Sequence, residues 1–295
     1  MPRLRSNGIE LEYDTFGAPT DPAMVLIMGH GAQLIDWHVE FCEQLAGHGF
    51  HVVRFDNRDA GLSTSMDHQG APDLALLLTG DARTAPYVLA DMADDTVGLM
   101  DGLGLDRVHL VGASMGGMIA QQTAIDHPER LYSLCSIMST TGDPAVGHAT
   151  QGAMAALTRP LASTRDEAIR NGIESSKAIG SPAFPVPDDE LTQRVAAKYD
   201  RSFRPTGQLR QFAAILASPD RTPALAAVTV PTVVIHGAED PLVDASGGRA
   251  TAAAVPGAEL VIVPGLGHNL PREVWPTITD AIVRNATRAD RVTRQ

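Results

Sequence analysis

Six short apolar segments, each followed by turn residues, recur along the chain between stretches with helical patterning. They read AMVLIMG, HVVRFD, RVHLVG, LYSLCSIM, TVVIHG and ELVIVPG. Strands that are buried on both faces of a parallel sheet show continuous apolar runs of this kind. Helical patterns lie at residues 37–48, 91–103, 115–127 and 271–287. This alternation predicts an α/β fold, in which helices cover a mostly parallel sheet.

The alternation stops between residues 142 and 228, where no segment is typical of a strand. Four segments there suit short helices, and turns with proline or glycine separate them: GAMAALTRPLAS, TRDEAIRNGIESSKAIG, PDDELTQRVAAKYDRSF and TGQLRQFAAILASP. We therefore expect a helical insertion at 142–228, before the last two strands. The core domain would then comprise residues 1–141 and 229–295.

Charge and composition exclude several classes of partner. The 295-residue chain has a formal net charge of −12 at pH 7, which disfavours binding to nucleic acid or anionic membranes. The sequence contains no run of about 18 apolar residues, which is the length needed to span a bilayer. The N-terminal residues lack the apolar stretch of a signal peptide, so the expected location is the cytoplasm. Cys42 and Cys135 lack metal-ligand spacing, and we expect both to be buried small apolar residues.

The segment GASMG, residues 112–116, lies between the strand-like RVHLVG and a helical pattern, and it matches G-x-S-x-G. A nucleophilic serine on such a sharp turn adopts an unfavourable backbone conformation, and its neighbours pass close to adjacent elements. Gly112 and Gly116 satisfy that requirement. Ser114 is therefore the candidate nucleophile.

A serine hydroxyl needs a base, and the base needs an orienting acid. Functional residues of α/β folds follow the carboxyl ends of strands, where His268 occurs in the loop after ELVIVPG. The loop after TVVIHG offers Glu239, Asp240 and Asp244, of which we favour Asp240. Asp143, after the preceding strand, is the alternative acid. The order serine, acid, histidine is the one that G-x-S-x-G hydrolases use.

The elbow, the acid loop and the histidine loop together resemble the α/β-hydrolase superfamily, from about Gly8 to Val283. The stretch MGHGAQLIDWHVEFCEQLAGHGFHVVRFDNRDAGLST is similar to the aclacinomycin methylesterase group and related bacterial lipase- and esterase-like hydrolases. The resemblance implies a Ser114, Asp240, His268 triad, an eight-stranded sheet and a helical cap. It also implies hydrolysis of a small-molecule ester.

Two backbone N–H groups are expected to stabilise the oxyanion of such a reaction. Met115, directly after the nucleophile, supplies one by geometry. The second comes from the loop after AMVLIMG. If the dipeptide HG corresponds to the family's usual His-Gly, the donor is Ala32. If the alignment instead follows the family's spacing from that dipeptide to a tryptophan, here Trp37, the donor is His30. We prefer His30, and both registers stay open.

The segment DNRDAGLS resembles the family's Asp-x-Arg-Gly stretch. We expect Asp56 and Arg58 to brace the loop rather than to take part in chemistry. Asp59 stands where glycine is common in the family, and the sequence offers no functional account of that departure.

Several alternatives remain. A serine at the elbow argues against epoxide opening and dehalogenation, whose family members use aspartate there. Cofactor-free haloperoxidase or perhydrolase activity and acyl transfer use the same triad and stay open. A non-catalytic binding module is a further alternative, although such proteins commonly lose triad members. The chain lacks H-E-x-x-H, clustered cysteines and a P-loop, so we expect neither a metal nor an organic cofactor.

The insertion has few aromatic residues among many alanines, leucines and isoleucines: Phe184, Tyr199, Phe203 and Phe212. This composition favours an apolar pocket with little capacity for stacking. A medium-sized hydrophobic ester, or the methyl ester of a polyketide-like molecule, is therefore the expected substrate.

Overall fold

A computed structural model describes residues 1–293 and contains an eight-stranded sheet. Its strands are β1 (Arg3–Ser6), β2 (Ile9–Phe16), β3 (Ala23–Ile27), β4 (His51–Phe55), β5 (Val108–Ala113), β6 (Leu131–Ile137), β7 (Thr232–Gly237) and β8 (Glu259–Val263). Every residue of β3 to β7 except Tyr132 is buried, as the continuous apolar runs predict.

The strands follow the order β1-β2-β4-β3-β5-β6-β7-β8 across the sheet. Strand β2 pairs antiparallel with β1 and β4, and all later neighbours pair parallel. The mostly parallel eight-stranded sheet is therefore confirmed. The sequence pattern did not indicate β1, which reaches β2 through Asn7 and Gly8, both with positive φ, as a tight hairpin turn requires.

Eleven α-helices lie within the described residues. They are α1 (Val39–Gly47), α2 (Leu74–Leu78), α3 (Leu89–Gly102), α4 (Met115–Asp126), α5 (Gln151–Leu157), α6 (Arg165–Ile179), α7 (Asp188–Arg201), α8 (Pro205–Ala217), α9 (Thr222–Leu225), α10 (Ala245–Ala254) and α11 (Trp275–Thr293). The last begins later than the predicted 271–287, because a short 3-10 turn, Arg272–Val274, precedes it. None of these helices combines the length and apolar character needed to cross a membrane.

Two apolar clusters cover the two faces of the sheet. One contains buried residues of α3 and α4, including Leu99 and Ile119, and the other contains residues of α1 and α11, including Phe41 and Ile278. The chain between β6 and β7 contains the five helices α5 to α9 and no strand. This helical segment follows β6 at the carboxyl edge of the sheet, the same edge from which α4 departs after β5. The assignment of residues 142–228 to a separate cap stays a prediction.

Candidate active site

Ser114 lies at the junction of β5 and α4 and has φ +57° and ψ −121°. A non-glycine residue in this region of backbone space is strained by about 1–3 kcal/mol. A Cβ at Gly112 would lie 2.0 Å from the carbonyl oxygen of Gly116, and one at Gly116 would lie 2.1 Å from that of Ile27. Since real side chains cannot approach so closely, the turn requires glycine at both positions.

His268 and Asp240 complete a chain of hydrogen bonds to this serine. The Nε2 atom of His268 is 2.9 Å from the Oγ of Ser114, and its Nδ1 is 2.7 Å from the Oδ2 of Asp240. The other carboxylate oxygen of Asp240 accepts the backbone N–H groups of Leu242 and Val243, each at 2.9 Å. Asp240 accepts a hydrogen bond from the Nδ1–H of His268. In the neutral ring the unprotonated nitrogen is therefore Nε2, which faces the serine hydroxyl.

The three side chains meet because β5, β7 and β8 are parallel, so their carboxyl ends share one edge of the sheet. The other acids considered for the site point elsewhere. Glu239 accepts the backbone N–H of Gly265, Asp244 caps α10, and Asp143 closes its own turn. Among the candidate acids, only Asp240 is hydrogen-bonded to His268 in the structure.

The loop after β3, residues 28–33, passes directly over the nucleophile and is called the β3 loop below. A Cβ at Gly29 would lie 3.0 Å from the Cβ of Ser114. The backbone N–H of Ala32 donates to the carbonyl of Gly29 at 3.2 Å. By contrast, the N–H of His30 has no acceptor among the described residues. The N–H of Ala32 is thus already used within the loop, while that of His30 is not, and the choice of His30 as an oxyanion donor stays a prediction.

Met115 is the first residue of α4, so its backbone N–H has no acceptor within that helix. The positive end of the helix dipole lies at the same point. The residue directly after the nucleophile and His30 of the β3 loop thus both carry backbone N–H groups without an acceptor among the described residues. Their role as oxyanion donors stays a prediction.

The imidazole of His30 is turned away from this role and towards α8. Its Nε2 is 2.8 Å from the carbonyl oxygen of Gln208, to which it donates, and its ring packs edge-on against Phe212. Burial lowers the pKa of His30, which keeps the ring neutral. Only the main chain of His30 is therefore available to the site.

The helical segment also contacts the histidine loop, residues 264–269. The backbone N–H of His268 donates to the carbonyl of Ile179 at 2.8 Å, and that of Gly267 donates to the Oγ of Ser181 at 2.9 Å. A Cβ at Gly267 would lie 2.4 Å from the carbonyl oxygen of Gly180. Sequence reasoning missed this contact, for which the small residues of GLGH were the available signal.

Asp56 and Arg58 lie in the loop after β4, and both have structural partners. The Asp56 carboxylate accepts the N–H groups of Leu34 and Leu62 at 2.7 and 2.8 Å and pairs with Arg201 at 2.7 Å. Burial raises the pKa of Asp56, while the pairing with Arg201 opposes that rise. Arg58 pairs with Asp95 of α3 at 2.6 Å. These contacts fix the loop after β4 relative to its neighbours.

Asp59 has φ +65°, which accounts for the glycine common at this position in the resembled family. Its carboxylate accepts two N–H groups of Arg210, at 2.6 and 2.8 Å, and the hydroxyl of Tyr87 at 2.7 Å. Asp59 and Arg210 both have fully buried side chains. The aspartate therefore anchors α8 to the core at the expense of local backbone strain.

The described residues contain no group of three or more histidine, cysteine or acidic side chains arranged to hold a metal ion. His236 is buried, lies 3.6 Å from Asp240, and donates from Nε2 to the carbonyl of Val243 at 2.7 Å. Burial lowers the pKa of His236. The expected absence of a metal and of a cofactor stays a prediction.

Comparisons with known proteins agree with the architecture. A family model described as the alpha/beta hydrolase fold matches residues 22–271. The chain is 28% identical to rhodomycin D methylesterase DnrP of Streptomyces peucetius and to rhodomycin D methylesterase DauP of Streptomyces sp. strain C5, with 95% of each chain covered in both cases.

Among solved structures, the enol-lactonase from Burkholderia xenovorans LB400 superimposes with a TM-score of 0.72 at 22% identity. The match covers 97% of this chain and 100% of that one. The two chains therefore share a fold, which extends over almost the whole sequence.

Proposed function

The chain belongs to the α/β-hydrolase family, and from that premise we propose that it is a carboxylic ester hydrolase that forms an acyl-enzyme on Ser114. The observation that carries the proposal is the hydrogen-bonded chain from Ser114 through His268 to Asp240, with distances of 2.9 and 2.7 Å. The strained elbow supports it further, because the backbone conformation of Ser114 presents its hydroxyl to the site.

In the proposed first half-reaction, the Oγ of Ser114 attacks the ester carbonyl carbon while the Nε2 of His268 accepts the hydroxyl proton. The carbonyl π electrons move onto the oxygen, which the backbone N–H groups of Met115 and His30 stabilise. Collapse of this intermediate breaks the ester C–O bond. The departing alkoxide takes the proton from His268 and leaves as the alcohol.

Water completes the reaction. His268 accepts a proton from the water as its oxygen attacks the acyl carbon, and the same N–H groups stabilise the second oxyanion. Collapse releases the carboxylic acid and returns the proton to Ser114. Asp240 accepts hydrogen bonds from the backbone N–H groups of Leu242 and Val243 and from the Nδ1–H of His268. Its role is to hold the ring and stabilise the imidazolium.

The expected substrate is a medium-sized hydrophobic ester, or the methyl ester of a polyketide-like molecule. Two relatives with 28% identity over 95% of the chain are named as rhodomycin D methylesterases, which supports the methyl-ester alternative. The helical segment supplies apolar side chains beside the β3 loop, with Phe212 against His30. We assign residues 142–228 the role of a cap over the site. Helix α6 contacts the histidine loop and helix α8 contacts the β3 loop.

The test compares wild type with Ser114→Ala on p-nitrophenyl esters of increasing chain length and on polyketide methyl esters. Loss of the nucleophile should lower kcat by about four orders of magnitude or more. Ser136→Ala is the matched control, since Ser136 is fully buried on β6 and contacts Gln121 rather than the site. Activity of Ser114→Ala above about a tenth of wild type would refute the assignment.

A further inference from the structure

A single buried side chain of α8 joins the β3 loop to the core. The Oε1 of Gln211 accepts the backbone N–H of Gly31 at 2.8 Å, and its Nε2 donates to the carbonyl of Arg58 at 2.7 Å. Gln211 is fully buried. Its amide thus bridges the loops that follow β3 and β4.

The bonded N–H belongs to the residue directly after His30, the proposed oxyanion donor. Gly31 has φ +63°, in the left-handed region of backbone space that favours glycine. Because neighbouring peptide planes are linked through only two dihedral angles each, fixing the N–H of Gly31 restricts the direction of the His30 N–H. Gln211 is thereby placed to control where that donor points.

Contacts within the β3 loop do not fix this direction by themselves. Among the described residues, the backbone hydrogen bond inside the loop joins Ala32 to Gly29 and bypasses the N–H of His30. The imidazole of His30 adds a second tether, to Gln208, which lies on the same helix. These two tethers, at Gly31 and at the His30 ring, both come from α8, whereas the start of the loop is held from the loop after β4, where the Nδ2 of Asn57 donates to the carbonyl of Met28 at 2.8 Å.

We propose that Gln211 is a positioning residue for the oxyanion hole: it acts through Gly31 to aim the N–H of His30 at the oxygen of the tetrahedral intermediate. The inference rests on the proposed function. It makes the helical segment part of the catalytic geometry, in addition to any role in substrate choice. The amide need not contact substrate, since its two partners are both backbone groups of the protein.

A purely structural role would have a different signature. An oxyanion donor acts in the transition state and contributes little to ground-state binding. Both the formation and the hydrolysis of an acyl-enzyme pass through an oxyanion, so a misdirected donor slows both steps together. A change confined to stability would leave kcat of the folded fraction unaltered.

The experiment replaces Gln211 with methionine, which has similar length but offers the N–H of Gly31 only a weakly accepting thioether. We expect kcat on p-nitrophenyl butyrate to fall about 10- to 100-fold, less than the 10²- to 10³-fold loss typical of deleting a donor outright. KM should change by no more than about two-fold. The inhibition constant of butylboronic acid, which forms a tetrahedral adduct with serine, should rise by about the same factor as kcat falls.

Asn285→Leu is the matched control. Asn285 is a buried amide on α11 that donates to the carbonyls of Leu134 and Pro231, far from the β3 loop. It should lower the unfolding midpoint yet leave kcat and boronate affinity within about two-fold of wild type. If Gln211→Met does not fold, Gln211→Asn carries the same test, because it withdraws the amide by one methylene.

The outcomes separate this inference from the proposed function. An active wild type and an inactive Ser114→Ala, together with a Gln211 variant whose kcat matches that of Asn285→Leu, would overturn only the positioning role. A rise in KM without a fall in kcat would overturn it as well. A wild type without esterase activity would overturn both proposals.

Discussion

The buried ion pair between Asp59 and Arg210 gives the most demanding test of how α8 is held. Arg210→Met removes the guanidinium and keeps a long apolar side chain in its place. The variant leaves Asp59 fully buried without its cation, and it also removes the Arg210 contacts with Asp67 at 2.7 Å and with the carbonyl of Gly70 at 3.0 Å.

The expected loss follows from what remains around the carboxylate. Removing one partner of a buried ion pair destabilises a protein by about 3–5 kcal/mol, since an uncompensated charge is left behind. The hydroxyl of Tyr87 at 2.7 Å and the N–H of Met66 at 2.8 Å still donate to Asp59. We therefore expect a loss at the lower end of this range, so that Arg210→Met lowers the free energy of unfolding by about 3 kcal/mol.

Urea unfolding followed by circular dichroism measures this loss. Adding Asp59→Gly to Arg210→Met should restore about 2 kcal/mol, because it removes the stranded charge and relieves the strain at φ +65°. Arg165→Met is the control, since its partner Asp200 and Arg165 itself are both about half exposed, and we expect no measurable change. A loss below about 1 kcal/mol in Arg210→Met would refute the reasoning.

Three further predictions concern pH, thiols and specificity. The free energy of unfolding should fall as the pH drops below about 6.5. The reason is that His30 and His236 have lowered pKa values in the folded state, so the unfolded chain takes up protons first. Equal urea midpoints at about pH 7.5 and about pH 5.5 would contradict this. Cys42 and Cys135 should resist Ellman's reagent until urea unfolds the chain, since burial raises the pKa of both thiols, that of Cys42 to about 12. Rapid labelling of native protein would show otherwise. Phe212→Ala should reorder the preference among acyl chain lengths by at most a few kcal/mol, and a uniform loss on every ester would argue for a structural role alone.

Sequence patterns locate residues whose function is tied to a local motif. The position of Ser114 follows from a strand, a turn and a helix in immediate succession. Asp240 and His268 could be located because parallel strands bring their following loops to one edge. The structure places the three side chains in hydrogen-bond contact, although their catalytic role stays a proposal.

Residues whose role depends on distant partners could not be located in this way. Asp59 contacts a residue 151 positions along the chain, and Gln211 contacts one 180 positions away. No local pattern in the helical segment shows which polar side chain turns inward. The segment contains no strand of the sheet, so its residues do not follow the sheet's regular alternation of strand and helix. Strand β1 was missed for another reason: its four residues, RLRS, have no apolar run, and pairing with β2 defines it.

The most direct test of the central claim is the mass of the enzyme during turnover. Wild type is mixed with p-nitrophenyl butyrate, quenched in acid within milliseconds, and examined by intact and peptide mass spectrometry. We predict an added butyryl group on the peptide that contains Ser114, formed with a burst of nitrophenol and absent from Ser114→Ala. Turnover accompanied by an adduct on another residue, or ester hydrolysis by Ser114→Ala at the wild-type rate, would contradict an acyl-enzyme at the elbow.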